Sequence, residues 1–580
     1  MQPHIALVLL IICIATSASS QSSSVSPPKR EVRGVWITTA TGLDWPKSTV
    51  VDEQKNSLRT IVQNLKQANF NTIFFQVRAR GDAYYRSQYE PWAENLTGTL
   101  GKDPGWDPLA LLLEEAHKRG MEVHAWFNLY KVRGLNPAGP SSPQHPTRAY
   151  PHWVRVYQDE AWLDPGIPEV REYLIRVALD LVRNYDIDGI NFDFIRYPGK
   201  DFPDMETHLR YGNGMSRDDW RRSNIDKFVS EFYDRAMAIK PMLKVGSAPL
   251  AIYQNSNLTG SYYTYAQDSY GWLKKQKHDY LSPQMYWSLG GNNGEPNFAT
   301  LSRAWKRYEA GRHIYAGIGA YKPDVVPEIP AEIDTTRVSG LLGQVYFRYD
   351  NIERLDMFGN RYRTPANIPP MPWKDNTPPM PPKNLAVTEL TPNVFHLEWL
   401  APTSATDGDR ARGYNIYRSA TLPIPVDDPT ALVAITTAEA NYFIDTVRTP
   451  TAFKYFYAVS ALDKGNNESD ISNAADIVLK EMVAIRGKLF HATSLSMLLA
   501  NGGAPTLVAY KIADKMNVSL EVIEQRADEL ETTVTTIARG TQEAGTYVVG
   551  LRNVPFRGGR YVVRLRAGDA TIEQPLELRQ

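Results

Sequence analysis

Cysteine is almost absent from this chain. Cys13 is the only one among 580 residues, and it sits inside an apolar N-terminal run, Ile5–Thr16. That run is too short to span a bilayer, and the small residues Ser17-Ala18-Ser19-Ser20 follow it, so residues 1–20 are expected to be a secretory signal peptide. Ile12 precedes Cys13, where a lipid-anchor signal needs a small residue. A mature chain without cysteine excludes disulfides, thiolate metal sites and a cysteine nucleophile. No later stretch is long and apolar enough to cross a membrane. Neither sign of charge is in excess, with 64 Lys+Arg against 64 Asp+Glu, so nothing draws the whole chain to a polyanion, and no nucleic-acid partner is expected. No His-Glu-x-x-His and no His/Cys cluster is present, so neither metal nor other cofactor is expected.

What is abundant is apolar and aromatic surface. Hydrophobic residues make up 43% and aromatics 11%, with 13 Trp and 32 Tyr. That is enough for large cores, and it also suits a cleft where sugar rings stack on aromatic plates.

Ser/Pro-rich residues 21–30 read as a tether. From 31 to 364, short apolar runs alternate with amphipathic stretches. Eight runs read as strands: Val32–Thr38, Thr72–Val77, Glu122–Phe127, Ile187–Phe194, Leu243–Ala248, Asp279–Tyr286, His313–Ile318 and Leu342–Phe347. Helical patterns fill 52–69, 108–120, 168–185, 219–239, 268–277, 297–310 and 332–339. Asp107-Pro108 is a capping carboxylate before a proline at the first helical position, and Gly120 after Lys118-Arg119 is a helix stop. Eight strands alternating with helices predict a (β/α)8 TIM barrel. The alternative, an open doubly wound sheet, lacks the Gly-x-Gly-x-x-Gly loop of its nucleotide-binding form. Residues 365–383 form a proline-rich linker. Residues 384–479 and 480–580 carry period-two patterns that predict two small β-domains, with a helix within 512–529.

A barrel builds its active site at the carboxyl ends of its strands. In the fourth strand Asn191 and Asp193 share the face opposite Ile190, Phe192 and Phe194, so both point into the barrel. A carboxylate there is costly unless bonded or used, which makes Asp193 the first catalytic candidate. The structural alternative is an ion pair with Arg78 or Arg196 at the barrel mouth. Hydrolysis of a glycoside normally needs two carboxyl groups; Glu90, Asp82 and Asp268 are candidates for the second, with Asp164 weaker. Arg78, His124, Trp126, Asn128, Asn191, Arg196, Gln284, Tyr286 and Trp287 are candidates for substrate binding, since amides, charged groups and aromatic plates suit sugars. For His124 and Trp126 the alternative is plain core packing.

The ordered blocks Arg33-Gly34-Val35-Trp36, Asp44-Trp45-Pro46, Phe75-Gln76-Val77-Arg78, Gly81-Asp82-Ala83-Tyr84-Tyr85, Glu90-Pro91-Trp92, His124-Ala125-Trp126-Phe127-Asn128, Asp188-Gly189-Ile190 and Ser282-Pro283-Gln284-Met285-Tyr286-Trp287 resemble the glycosyl-hydrolase-like 10 family across residues 31–350. The resemblance implies an exported TIM-barrel glycosidase, some bacterial members of the family acting on peptidoglycan glycan strands. Two departures stand out. The family often has Phe-Asp-Asp after the fourth strand, where this chain has Phe192-Asp193-Phe194, and its Asn-Pro-Gly motif is Asp164-Pro165-Gly166 here. Residues 384–479, with Trp399 and Gly413-Tyr414-Asn415-Ile416-Tyr417-Arg418, resemble a fibronectin type III module. The expected function is hydrolysis of a cell-wall or other polysaccharide by an exported monomer. The competing expectation is a non-catalytic glycan-binding protein.

Overall fold

The computed structural model describes residues 26–479, apart from 135–137, 256, 291–295, 353–354, 392, 449–451 and 453. Beyond 479 it describes 494–499, 505–512, 514–525, 531–551, 554 and 556–578. The signal-peptide reading, with Cys13, lies outside the described residues.

The N-terminal unit is built on parallel strands: β1 (Val32–Ile37), β2 (Thr72–Arg78) and β3 (Glu122–Asn128). After β3 the chain leaves the sheet to form β4 (Lys131–Gly134), β5 (Val154–Tyr157) and β6 (Glu160–Leu163). It then returns through β7 (Gly189–Asp193), β8 (Lys244–Ser247), β9 (Tyr280–Leu281), β10 (His313–Ile314), β11 (Ala316–Ile318) and β12 (Gly343–Phe347). The nine parallel strands run in the order β10-β9-β8-β7-β3-β2-β1-β12-β11. The two edge strands are separated in sequence by Tyr315 alone, so the sheet curls into a nearly closed barrel. Every residue of β1, β2, β3 and β7 is buried, as parallel strands covered on both faces require.

Helices cover the outside. In Pro108–His117 the Asp107 carboxylate accepts from the Ala110 amide at 3.0 Å and Pro108 occupies the first position, so the cap read in the sequence closes this helix. The barrel interior holds Trp36, Phe74, Trp126, Tyr280, Tyr315 and Val345. Its amino-terminal end is closed by Ile368 and Met371 of the proline-rich segment, which join that cluster. This segment is packed against the barrel: the Glu31 amide donates to Asn367 O at 2.8 Å, the Trp373 indole donates to Asp279 at 2.8 Å, and Lys374 pairs with Asp279 at 3.0 Å.

Next come a three-stranded sheet (Lys383–Thr391, Val394–Leu400, Tyr442–Thr446) and a four-stranded one (Gly413–Ser419, Leu432–Thr437, Lys454–Leu462, Ala475–Val478), both antiparallel. They share a core of Phe395, Leu397, Trp399, Tyr414, Ile416, Tyr457 and Val459. The last part is again a three-stranded and a four-stranded antiparallel sheet around Val508, Tyr510, Leu520, Val563 and Leu565. The helix expected within 512–529 is replaced by a strand, Met516–Gln525. Val518, Leu520 and Val522 are buried at every second position, a spacing that buries one face of a strand.

Candidate active site

At the carboxyl ends of the barrel strands lies an open cavity of about 570 Å³. Trp36, Trp126, Tyr286, Tyr321 and Phe347 give it aromatic walls; Arg80, Lys131, Arg133 and Arg196 give it positive charge; Asp193 and Glu160 are its carboxylates. Tyr286 lies stacked on Phe347 with ring centroids 5.7 Å apart.

Asp193 ends β7 and is 8% exposed. Its Oδ1 accepts from the Phe194 amide at 2.7 Å and from Gln284 Nε2 at 3.3 Å. Gln284 is itself anchored by donating to Ala248 O at 2.9 Å. The Trp126 indole N–H helps hold charge on this carboxyl but has no partner at full hydrogen-bond geometry. Burial pushes Asp193 above the usual carboxylate range, while Arg196, acting through space, pulls it down. The Arg196 guanidinium stacks over Phe194 at 5.0 Å and Tyr265 at 5.5 Å. Phe194 has φ +51°, a left-handed conformation that costs a bulky residue energy and concentrates at functional sites. The ring is gripped by Trp162 at 5.7 Å and by the Lys131 ammonium at 4.9 Å.

Those two grips come from the small antiparallel sheet β4-β6-β5, which forms one wall of the cavity. Glu160 stands at the start of β6 and pairs with Lys131 of β4. The sequence reading passed over it. The signal was present: Val154-Arg-Val-Tyr and Glu160-Ala-Trp-Leu flank Gln158-Asp159, whose φ values of +46° and +61° make a two-residue hairpin turn.

The predicted site residues separate into two groups. Asp193, Trp126, Asn128, Arg196, Gln284 and Tyr286 line the cavity. Asn128 donates to Ala79 O at 2.9 Å, and its Oδ1 has no hydrogen-bond partner. The others do not line it. Arg78 and Glu90 are sealed together: two bonds of 2.7 Å join them, Arg78 also donates to Leu129 O at 2.9 Å, and Tyr173 donates to Glu90 at 3.2 Å. They brace the framework, and Arg78 therefore makes no barrel-mouth pair with Asp193. His124 lies deeper in the barrel, bonded to the Tyr280 hydroxyl at 2.8 Å and against the Phe74 ring at 4.9 Å, which is the core-packing alternative. Asn191 points inward as expected but is fully buried, with the Trp36 indole and the Tyr280 hydroxyl each at 3.4 Å. Asp82 accepts from the Arg80 amide at 2.9 Å in its own loop. Asp268 caps the helix Ser269–Lys274 and accepts from the Tyr253 hydroxyl at 2.6 Å. Asp164 is fully buried and accepts from the Gly166 amide and the Thr207 hydroxyl. Trp287 packs against the core outside the barrel.

Comparison with known proteins identifies relatives by sequence. A family model described as glycosyl hydrolase-like 10 matches residues 31–334. Glycosyl hydrolase YngK of Bacillus subtilis (strain 168) is 33% identical over 501 residues, covering 80% of this chain and 95% of the relative. Glycosyl hydrolase DigH of Escherichia coli (strain K12) is 30% identical over 412 residues, covering 61% and 93%. Among solved structures, the PgaB (BpsB) glycoside hydrolase domain from Bordetella bronchiseptica aligns at TM-score 0.42 and 14% identity, covering 58% of this chain and 98% of that one. The chain belongs to the glycosyl hydrolase-like 10 family.

Proposed function

We propose that this protein is an exported glycoside hydrolase acting on a polysaccharide, with peptidoglycan glycan strands the favoured substrate. In this reading β10 and β11 count as one interrupted strand of a (β/α)8 barrel, and the seven strands that follow it form a fibronectin type III-like module. One observation carries the functional reading: a carboxyl raised above its usual range, Asp193, faces an open aromatic cavity that holds a second carboxylate, Glu160. Asp193 in its protonated form donates to the leaving glycosidic oxygen; Glu160 is the available base or nucleophile. Tyr286, Tyr321 and Phe347, the more exposed aromatic groups of the cavity, supply apolar surface for sugar rings. Four basic side chains against two carboxylates, one of them shifted toward its neutral form, favour a glycan that itself bears carboxylates. Unsubstituted lactyl groups on a peptidoglycan strand are such carboxylates. Export rests on the N-terminal signal and is checked by N-terminal sequencing of protein recovered outside the cytoplasm.

Phe194, where the family often has a second aspartate, favours a competing reading as a glycan binder without turnover. The two are separated by incubating the protein with peptide-free peptidoglycan glycan, chitin oligomers and neutral polysaccharides and measuring product masses. Asp193→Asn is expected to keep glycan binding and to lower turnover by about 10²–10⁴-fold, and Glu160→Gln to lower it as well. Absence of product from every glycan with the unaltered protein, with binding retained, makes it a binder.

A further inference from the structure

The basic side chains of the cavity are not equivalent. Lys131 is paired with Glu160, and Arg133 approaches Glu94 at 4.0 Å. Among the described residues, the guanidinium groups of Arg80 and Arg196 have neither an ion pair nor a hydrogen bond. These two differ in turn. No ring among the described residues lies under Arg80, whereas the Arg196 guanidinium lies over Phe194 at 5.0 Å and Tyr265 at 5.5 Å. The platform is itself rigid, because Phe194 is gripped by Trp162 at 5.7 Å and by the Lys131 ammonium at 4.9 Å.

A ring takes up the face of a guanidinium, while the N–H donors lie in the plane and point past the ring edge. Arg196 is therefore held in one orientation with its donors unused. Asp193 does not use them: its Oδ1 is taken by the Phe194 amide and Gln284, and it acts on Arg196 only through space. Burial pushes the Arg196 pKa down, and the attraction of Asp193, Tyr265 and Glu160 does not restore it. A guanidinium nonetheless stays charged at any working pH. This point of the cavity is thus short of negative charge, and the fixed fork favours an acceptor that can take two parallel N–H bonds.

Within the reading of the cavity as a glycosidase site, on which this rests, we infer that Arg196 determines specificity by receiving a carboxylate carried by the sugar unit bound beside Asp193. A hydroxyl would accept from the fork without matching its charge; a carboxylate does both. Asp193 in its protonated form does not repel such a group. Lys131, already matched by Glu160, and Arg80, which no ring holds, add attraction without direction.

The test gives the full chain two forms of one glycan: peptide-free peptidoglycan strands with their lactyl carboxylates, and the same strands with those groups reduced to alcohols after carbodiimide activation. The parent is expected to show a kcat/KM about 10–100-fold higher on the carboxylate form. Arg196→Gln is expected to lose that factor on the carboxylate form and to change little on the reduced one, so the preference disappears. Arg196→Lys, which keeps the charge without the fork, is expected to keep part of it. A merely structural role would lower both substrates equally. The ratio in the parent depends on no variant, so a variant that fails to fold does not shield the inference. Equal kcat/KM on the two glycans in the parent, or a preference that survives in Arg196→Gln, overturns it while hydrolysis itself stands. Where neither glycan is cleaved, calorimetric titration with the same two decides. Carboxylate-dependent affinity that Arg196→Gln abolishes upholds the role of Arg196 and removes the hydrolase reading; affinity that ignores the carboxylate, or no binding to either, overturns it.

Discussion

Arg78 and Glu90 form a buried ion pair in which almost every donor and acceptor is used, and neither side chain is exposed. Removing one partner leaves the other charged in a dry interior. Arg78→Met is therefore expected to cost about 3–5 kcal/mol of stability in urea unfolding, and adding Glu90→Leu is expected to recover much of it. A group that touched substrate would show no such recovery. Asp193 behaves in the opposite sense. Its pKa in the fold lies above the ordinary value, so the stability it contributes is fully present below that ordinary value and is lost as pH rises through the raised one. Asp193→Asn is expected to raise Tm at pH 7–8 relative to the parent and to lose that advantage near pH 3, while turnover falls at every pH. Read along the sequence, strand alternation gave the facing of these residues but not their depth. His124, Asn191 and Asp193 all point inward, yet only Asp193 lies at the cavity; the other two sit a layer lower, bonded to the Tyr280 hydroxyl.

Asp268 shows what a well-placed carboxylate does for an element. Its Oδ1 accepts from the Gly271 amide at 3.0 Å, closing the first turn of Ser269–Lys274. Asp268→Ala is expected to cost about 1 kcal/mol by thermal unfolding and to leave kcat on glycan unchanged. A drop in kcat larger than the loss of folded protein would return Asp268 to the catalytic candidates. Most barrel elements were legible because each carries a local signal: apolar runs for the strands, Asp-Pro for a helix start, glycine for a stop. Short antiparallel β4–β6 was not, since its residues sit between β3 and the helix Pro168–Asn184 in a stretch rich in proline. Glu160 was missed with it.

Across the molecule, the two ends of the barrel have different tasks. The carboxyl ends of the strands open to solvent at the cavity, and the amino ends are closed by the proline-rich segment and the seven-stranded unit after it. Glu122, 1% exposed at the start of β3, is held by Lys244 at 2.7 Å, by Asn466 at 3.0 Å and by Arg412 at 3.3 Å, the last two from that unit. Arg412 also reaches Asp188 at 3.4 Å. Lys244 and the others hold Glu122 well below the usual carboxylate range against its burial, so this junction is strongest above the ordinary glutamate pKa and weakens on acidification. The Arg412 guanidinium is partly open to water, so Arg412→Ala is expected to cost only about 1 kcal/mol. Calorimetry is expected to show the barrel and the seven-stranded unit separating into two transitions at a less acidic pH in that variant than in the parent. No helix among the described residues is long and apolar enough to cross a membrane.

The excursion between β3 and β7 supplies Lys131, Arg133 and Glu160 to the cavity without contributing a single rung to the parallel cylinder. Mutation can thus recharge Arg133 or Glu160 at the cavity while the strand pairing of the cylinder stays constant. In the proposed reading, a change in which saccharide is held therefore leaves the parallel framework untouched.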